Sequence, residues 1–305
     1  MTFYEIDPIG DTLLILHNAN APFAVVPAQE ERSESGSALD DKPTGEPQNA
    51  DSKPKEEDSK PQDADSKPTL QMRLSSKHLA LASKYFQKLT TSNMKETTPE
   101  YGYSFVINAN DWDEKALLVL MNIIHGRTTK VPRSVDLEML AKIAVLVEYY
   151  QCHEAVEFFA KTWLGPLSTS IIIPKEGERN FMLRLVVCLV FSENFNFWLL
   201  TKTIIWGSKK PINSLGLPIQ QDIIDALNKS REDAIRVTIA DLNGLRRRLC
   251  QDQSCSFECS SIYLGALVKA MTKMQVMDSP MVKPYRGLSL LMLEQAIRDI
   301  KEPSW

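Results

Sequence analysis

The chain has 305 residues, a formal net charge of −4 and 43% hydrophobic residues. This length allows two domains, and the hydrophobic content is sufficient for their cores. The mild negative charge does not indicate a protein that binds nucleic acid or an anionic membrane surface. The stretch MTFYEIDPIG has no basic region followed by an apolar run, so we predict no signal peptide.

The cysteine content favours an intracellular protein. Five cysteines are an odd number for a disulfide framework, so we expect reduced thiols and a cytoplasmic or nuclear location. The most apolar window, residues 181–200, is interrupted by Arg184, Glu193, Asn194 and Asn196. A membrane span needs about 18 apolar residues in succession, so this window predicts a buried helix.

Two short strands are the first predicted elements. DTLLIL (Asp11 to Leu16) and FAVV (Phe23 to Val26) are apolar, and a turn-rich link joins them. LQMRL at residues 70–74 predicts a third strand.

The segment from residue 27 to residue 69 has the composition of a disordered chain. It contains twelve acidic and six basic residues and six of the seventeen prolines, and Leu39 is its only large apolar residue. Such a segment cannot bury enough apolar surface to offset the entropy of ordering it. The tetrapeptide DSKP recurs here at Asp51, Asp58 and Asp65. Its seven-residue step is not a coiled-coil heptad, because the repeated proline breaks any helix.

Helical patterns follow the third strand. SSKHLALASKYFQKL predicts one helix, capped by Ser75 or Ser76, and YSFVIN predicts a strand. The next helix has a capping-box-like pair, Asp111 and Glu114, and a glycine stop at Gly126.

The rest of the chain is predicted to be mostly helical. Residues 134–164 predict two helices with a break near YYQCH, and Gly165 and Pro166 predict a boundary after them. A long apolar stripe between residues 216 and 249 predicts one extended helix. Shorter helices are expected at residues 262–274 and 288–300.

The order of these segments resembles a BTB/POZ domain. The segments are the strand pair, SSKHLALASKYFQKL, FVINANDWDEKALLVLMNIIHG and DLEMLAKIAVLVEYYQCHEAVEFFAKTWL. More narrowly, the chain is similar to BTB-containing proteins common in filamentous fungi, which often have a cysteine-bearing helical region and a PSW-like end. Here CSFECSSIYLGAL and the final PSW are the matching stretches.

The resemblance implies an α+β fold, with a small, mostly antiparallel sheet packed against helical hairpins. The BTB/POZ-like domain would span residues 1–164, and a mostly α-helical C-terminal region would span residues 165–305. The acidic segment at 27–69 would then be an insertion inside the first domain, between strands that family members connect with far fewer residues.

Met94, Lys95 and Glu96 form a weak candidate site for a partner. They are similar to the apolar-x-Glu pattern that follows a helix in BTB proteins that bind cullins. The alternative is that Met94 covers local core while Glu96 is solvated.

Cys250, Cys255 and Cys259 are a weak candidate metal site. Their spacing is close enough for shared zinc coordination, but zinc needs four ligands and no histidine lies nearby. A turn and a helix start with buried thiols is the alternative. We therefore predict no metal and no cofactor.

Other short motifs predict no chemistry. HEAVE, which begins at His153, has Glu157 where a metalloprotease helix needs histidine, so an interface or capping role is expected for His153. His78 and His125 lie at positions that suit structural roles. LRRRL and SKKP are short basic clusters that fit a solvated helix face or a nuclear address.

Three functions remain open on these observations. The first is a non-enzymatic protein–protein interaction module that pairs with itself or with another chain through the BTB domain. The second is a substrate adaptor for a cullin-type ubiquitin ligase. The third is a zinc-dependent or thiol enzyme that uses the cysteines at 250–259. No nucleic acid or membrane partner is expected.

Overall fold

The computed structural model describes residues 2–26, 68–91, 102–168, 177–251, 256–277 and 282–300. It is a mixed α/β structure with a small sheet. The strands are β1 (Thr2–Glu5), β2 (Thr12–His17), β3 (Pro68–Leu74) and β4 (Phe105–Asn110). The helices are α1 (Ser76–Ala82), α2 (Lys84–Thr91), α3 (Glu114–Ile124), α4 (Leu137–Tyr150), α5 (His153–Ser168), α6 (Glu178–Val190), α7 (Asn194–Gly207), α8 (Gln221–Cys250), α9 (Phe257–Lys273) and α10 (Leu290–Arg298).

The sheet has the strand order β1-β3-β2-β4. β2 and β3 are antiparallel, whereas β1 pairs in parallel with β3 and β4 pairs in parallel with β2. The prediction of a mostly antiparallel sheet is therefore wrong. β3 ends at Leu74 and β4 begins at Phe105, and both residues lie opposite Thr12 of β2. Helices α1 and α2 therefore return the chain to the end of the sheet where β3 stopped, so β4 runs opposite to β3 and parallel to β2.

The segment between β2 and β3 differs from its prediction. Residues 23–26 form no strand, because the carbonyls of Phe23 and Ala24 accept hydrogen bonds from the Arg179 side chain at 3.2 and 3.1 Å. Ala24 also has a φ of 49°, which does not fit a strand. β3 begins at Pro68, so the last two residues of the predicted insertion 27–69 belong to a strand. Residues 27–67 lie outside the described part of the chain.

One predicted helix and the cap of another also differ from the sequence-based expectation. The helix predicted after β3 is divided at Ser83, whose φ is −143°. The Ser83 hydroxyl donates to the Tyr150 carbonyl and accepts from the Phe86 amide, so a contact with α4 holds the break. α3 is capped by Asp113 and not by Asp111, since the Asp113 carboxylate accepts from the Ala116 amide at 3.0 Å.

Of the two interruptions predicted after residue 134, the structure has the one near YYQCH but not the one at Gly165 and Pro166. Gln151 separates α4 from α5 with a φ of 51°, as the sequence predicted near YYQCH. α5 continues through Gly165 and Pro166 to Ser168, so no helix ends at the predicted boundary. The apolar window 181–200 contains parts of two helices, α6 and α7. In the described part of the chain no helix is both long and apolar enough to cross a membrane.

Two large hydrophobic clusters form most of the interior, and a third cluster contains only Leu13, Ile15 and Val106 on β2 and β4. The larger one lies between the sheet and helices α1 to α7 and includes Leu227 on α8. The smaller one lies between α8, α9 and α10 and includes Ile235, Leu242 and Leu267. The larger cluster crosses residue 164, where the sequence predicted a domain division; that division stays a prediction. α8 contributes to both clusters, and its length of about 45 Å is what a helix of 30 residues spans.

A fully buried arginine lies where the two clusters meet. The Arg231 guanidinium donates to the backbone carbonyls of Ser208, Pro284, Tyr285 and Leu288 at 2.7–2.9 Å. Burial lowers the pKa of Arg231 from its ordinary value. These four contacts tie α8 to the segment that follows α7 and to the segment that precedes α10.

Candidate functional site

A groove of about 940 Å³ lies beside the loop that follows β2 and is the candidate site. Four segments line it: residues 21–25 after β2, residues 111–113 between β4 and α3, the outer side of α4, and residues 213–218 between α7 and α8. Grooves of this size that are mostly apolar, with a few polar groups, are typical binding sites.

The loop after β2 is held in place by hydrogen bonds to the groove's second segment. The amide of Asn20 donates to the Trp112 carbonyl at 2.9 Å, and the Asn20 side chain accepts from the Glu114 amide at 3.1 Å. Asn18 and Asn20 have φ values of 48° and 64°. Asparagine adopts this left-handed backbone more readily than most residues, so the sequence suits the loop.

A chain of ion pairs runs beside the groove. Lys142 contacts Asp113 at 2.9 Å and Glu138 at 3.0 Å, and Arg179 contacts Glu138 at 3.0 Å. Burial would raise the pKa of Asp113, but hydrogen bonds from the Ala116 amide and from Lys142 outweigh it and lower that pKa. The hydrogen bond from Lys142 is the main cause that lowers the pKa of Glu138. These groups are therefore charged and paired with each other.

Aromatic rings form one wall of the groove. Trp112 and Tyr149 contact each other with ring centroids 5.1 Å apart, and Tyr85 lies 5.4 Å from Tyr149 behind them. Tyr149 is 49% exposed, whereas its neighbour Tyr150 is buried in the core. Phe23 completes the wall below the Lys142 ammonium, which lies 5.8 Å from its ring centroid. An exposed ring beside an apolar floor suits contacts with side chains of another molecule.

Of the partner-binding and metal candidates from the sequence, the structure describes Cys250 and Cys259, and neither lines the groove. Met94, Glu96 and Cys255 lie outside the described residues, so the cullin hypothesis stays a prediction. Cys250 is exposed at the end of α8, and Cys259 is half-buried in the first turn of α9. Within the ranges that the structure describes, no group of three or more His, Cys, Asp or Glu side chains could hold a metal ion.

The other two cysteines are buried in the larger cluster. Burial raises the pKa of the Cys152 thiol to about 12 and that of the Cys188 thiol to about 12. Both thiols are therefore protonated near neutral pH, and a protonated thiol is a poor nucleophile.

The histidines singled out in the sequence have local partners. His153 begins α5, and its Nε2 lies 3.0 Å from the Glu148 carboxylate. His78 and His125 stack with centroids 5.2 Å apart at the end of α3.

Comparison with known proteins assigns no family to the chain. No model of a known protein family matches it, and no curated protein matches it significantly.

Sequence reasoning missed the groove, although two of its residues lie in motifs that were considered. Trp112 lies within DWDE, which was interpreted only as a helix start, and Tyr149 lies within YYQCH, which was interpreted only as a helix break. Two adjacent tyrosines at a helix end were the available signal, because only one of them can face the core.

Proposed function

We propose that the protein is a non-enzymatic protein–protein interaction module with a BTB/POZ-like first domain. The observation that carries this proposal is the groove between residues 21–25, 111–113, α4 and residues 213–218. Four charged residues line the described part of the groove, and each has a partner. Asp113 pairs with Lys142, Asp111 accepts a hydrogen bond from the Asn18 side chain, and Glu148 lies 3.0 Å from His153 Nε2. The remaining surface offers apolar side chains and the exposed ring of Tyr149, which suits recognition more than bond-breaking chemistry.

The element order supports the BTB/POZ part of the proposal. An antiparallel β2–β3 pair is followed by α1 and α2, by β4, and then by α3, α4 and α5. From α1 onward this is the order on which the resemblance rests, whereas its first strand pair, residues 11–16 and 23–26, is replaced here by β2 and β3. The insertion at 27–67 falls between the antiparallel neighbours β2 and β3, where family members have a short connection.

Affinity purification with mass spectrometry tests the groove. Wild-type protein is compared with the double variant Tyr149→Ala and Leu215→Asp, and with Phe158→Ala as a matched control. Phe158 is a 76% exposed aromatic on α5 that does not line the groove. We expect a set of protein partners that the double variant loses and the control keeps. An identical set for all three proteins would contradict the proposal.

Self-association is the second part of the proposal. Among the strands that the structure describes, β1 lies at the edge of the sheet, and Phe3 on it is 51% exposed. An edge strand of this kind can pair with a second copy of the chain. Size-exclusion chromatography with light scattering measures the mass in solution. A strict monomer at high concentration would remove self-pairing from the proposal.

A further inference from the structure

Helix α7 exposes an unusual aromatic face. Phe195, Trp198 and Trp206 are 73%, 58% and 38% exposed, while Leu200 and Ile204 on the opposite side are buried in the larger cluster. Large aromatic side chains bury most of their surface in a folded chain, and clustered exposed ones mark interaction surfaces. Tryptophan is also among the residues that contribute most to protein–protein binding energy. We call Phe195, Trp198, Lys202 and Trp206 the α7 face.

A single cation lies in the middle of the α7 face. The Lys202 ammonium is 5.6 Å from the ring centroid of Trp198 and 5.4 Å from that of Trp206. Lys202 is the only charged residue in the sequence of α7. No carboxylate in the described ranges forms an ion pair with it. The two indoles hold this ammonium in place, and its charge is available to an incoming anion.

The α7 face is one wall of a shallow cavity. The cavity has a volume of about 440 Å³ and continues from Trp198 and Trp206 to Ala234 on α8 and Leu290 on α10. Ala234 and Leu290 therefore make the other side of the cavity apolar as well. Lys202 is the only charged residue among the described residues that line the cavity.

We propose that the α7 face binds an amphipathic helix of a partner protein that carries a carboxylate between two apolar side chains. Trp198, Lys202 and Trp206 are spaced by four residues, which is about 6 Å along a helix. A partner helix with an apolar residue, Asp or Glu, and an apolar residue at the same four-residue spacing matches all three positions. The carboxylate meets Lys202 while the apolar residues cover the indoles.

The charge of the α7 face favours a protein partner over two other classes. An anionic membrane is held by clusters of about four to eight Lys and Arg, and α7 has one. Single-stranded nucleic acid also stacks on tryptophan, but its affinity depends on many phosphate contacts. One ammonium among apolar side chains matches one carboxylate. Such a pair strengthens as the apolar contacts exclude water.

Selection from a phage-displayed library of 16-residue helical peptides tests the proposal on the intact protein. Wild-type protein is expected to enrich peptides with an apolar residue, Asp or Glu, and an apolar residue spaced by four. The Lys202→Glu variant is expected to enrich Lys or Arg at the central position. Lys84→Glu, a charge reversal at an exposed lysine on α2, is expected to select the wild-type pattern.

Binding of one enriched peptide gives the quantitative measurement. Replacing its central carboxylate by an amide is expected to weaken binding to wild-type protein about tenfold, and Trp198→Ala is expected to weaken it further. Thermal unfolding of each variant checks that it is folded. The Trp198 and Lys202 side chains are exposed, so their replacement is expected to change the stability of the protein little.

Four results would overturn the proposal. The first is that no peptide is enriched, and the second is that Lys202→Glu selects the same peptides as the wild type. The third is a dimer in light scattering that Trp198→Ala dissociates, which would make the α7 face a contact between copies of this chain. The fourth is sedimentation with phosphatidylserine vesicles that Trp198→Ala abolishes.

Discussion

At the scale of single residues, the hydrogen bonds of His125 at the end of α3 depend on the protonation state of its ring. The Ser75 amide donates to its Nε2 at 3.0 Å, and its Nδ1 lies 2.8 Å from the Met121 carbonyl. Both contacts are satisfied only by a neutral ring with its proton on Nδ1. A second proton on Nε2 would face the Ser75 N–H. Burial, followed by the nearby His78, lowers the pKa of His125.

This arrangement predicts a loss of stability in mild acid. The folded-state pKa lies below the unfolded value of about 6.5, so the unfolded chain binds the proton first as the pH falls. The contribution of His125 is complete above about pH 6.5 and is lost progressively below it. Urea unfolding at pH 8.0 and 5.5 measures the effect. We expect His125→Gln to reduce the difference between the free energies of unfolding at these two pH values.

Gly10 is predicted to be intolerant of any side chain. A Cβ atom there would lie 2.3 Å from the carbonyl oxygen of Leu74 at the end of β3. Because backbone must move to relieve this contact, Gly10→Ala is expected to lower the free energy of unfolding by about 2–3 kcal/mol. Gly244→Ala is the matched control. Its nearest atom would be 4.0 Å away, and alanine favours the helix interior, so we expect a gain of about 0.5–1 kcal/mol.

At the scale of elements, the sequence correctly predicted the strands and helix breaks that local residue patterns determine. The apolar runs of β2 and β3 and the break at Gln151 needed only alternation or helix periodicity. The errors arise where a distant group decides. Arg179 occupies the carbonyls that a strand at residues 23–26 would need, and Tyr150 holds the helix break at Ser83. The groove was unpredictable for the same reason, because the loops that line it are remote in sequence.

The insertion between β2 and β3 is expected to be dispensable for folding. The two strands are adjacent and antiparallel, with Leu16 opposite Leu70, and Arg179 holds the loop that follows β2. The free energy of closing a loop changes only slowly with its length. Deleting residues 32–67 should therefore shift the melting temperature by less than about 4 °C, which corresponds to roughly 1 kcal/mol. A much larger decrease in thermal unfolding experiments would show that the segment stabilises the domain.

At the scale of the whole molecule, Arg231 is expected to be the most sensitive single position for cohesion between the two clusters. Arg231→Met removes the donors of four buried carbonyl contacts, and unfolding free energy should fall by about 3–5 kcal/mol. Arg236→Met on the same helix is the control. Arg236 is exposed and pairs with Asp233 at the surface, so a change below about 0.5 kcal/mol is expected in denaturant titrations. Equal losses for both variants would contradict the role of Arg231.

The passage of α8 through both clusters also sets an order of opening. The smaller cluster consists of the far half of α8 with α9 and α10, and so few residues do not hold together without support. That support comes from the near half of α8, which is anchored by Leu227 in the larger cluster, and from α7, against which α10 also packs. Amides of α9 and α10 should therefore exchange with deuterated solvent before those of α4, while the near half of α8 remains protected. Helices α9 and α10 can therefore unfold and refold locally while the near half of α8 and the rest of the protein stay folded.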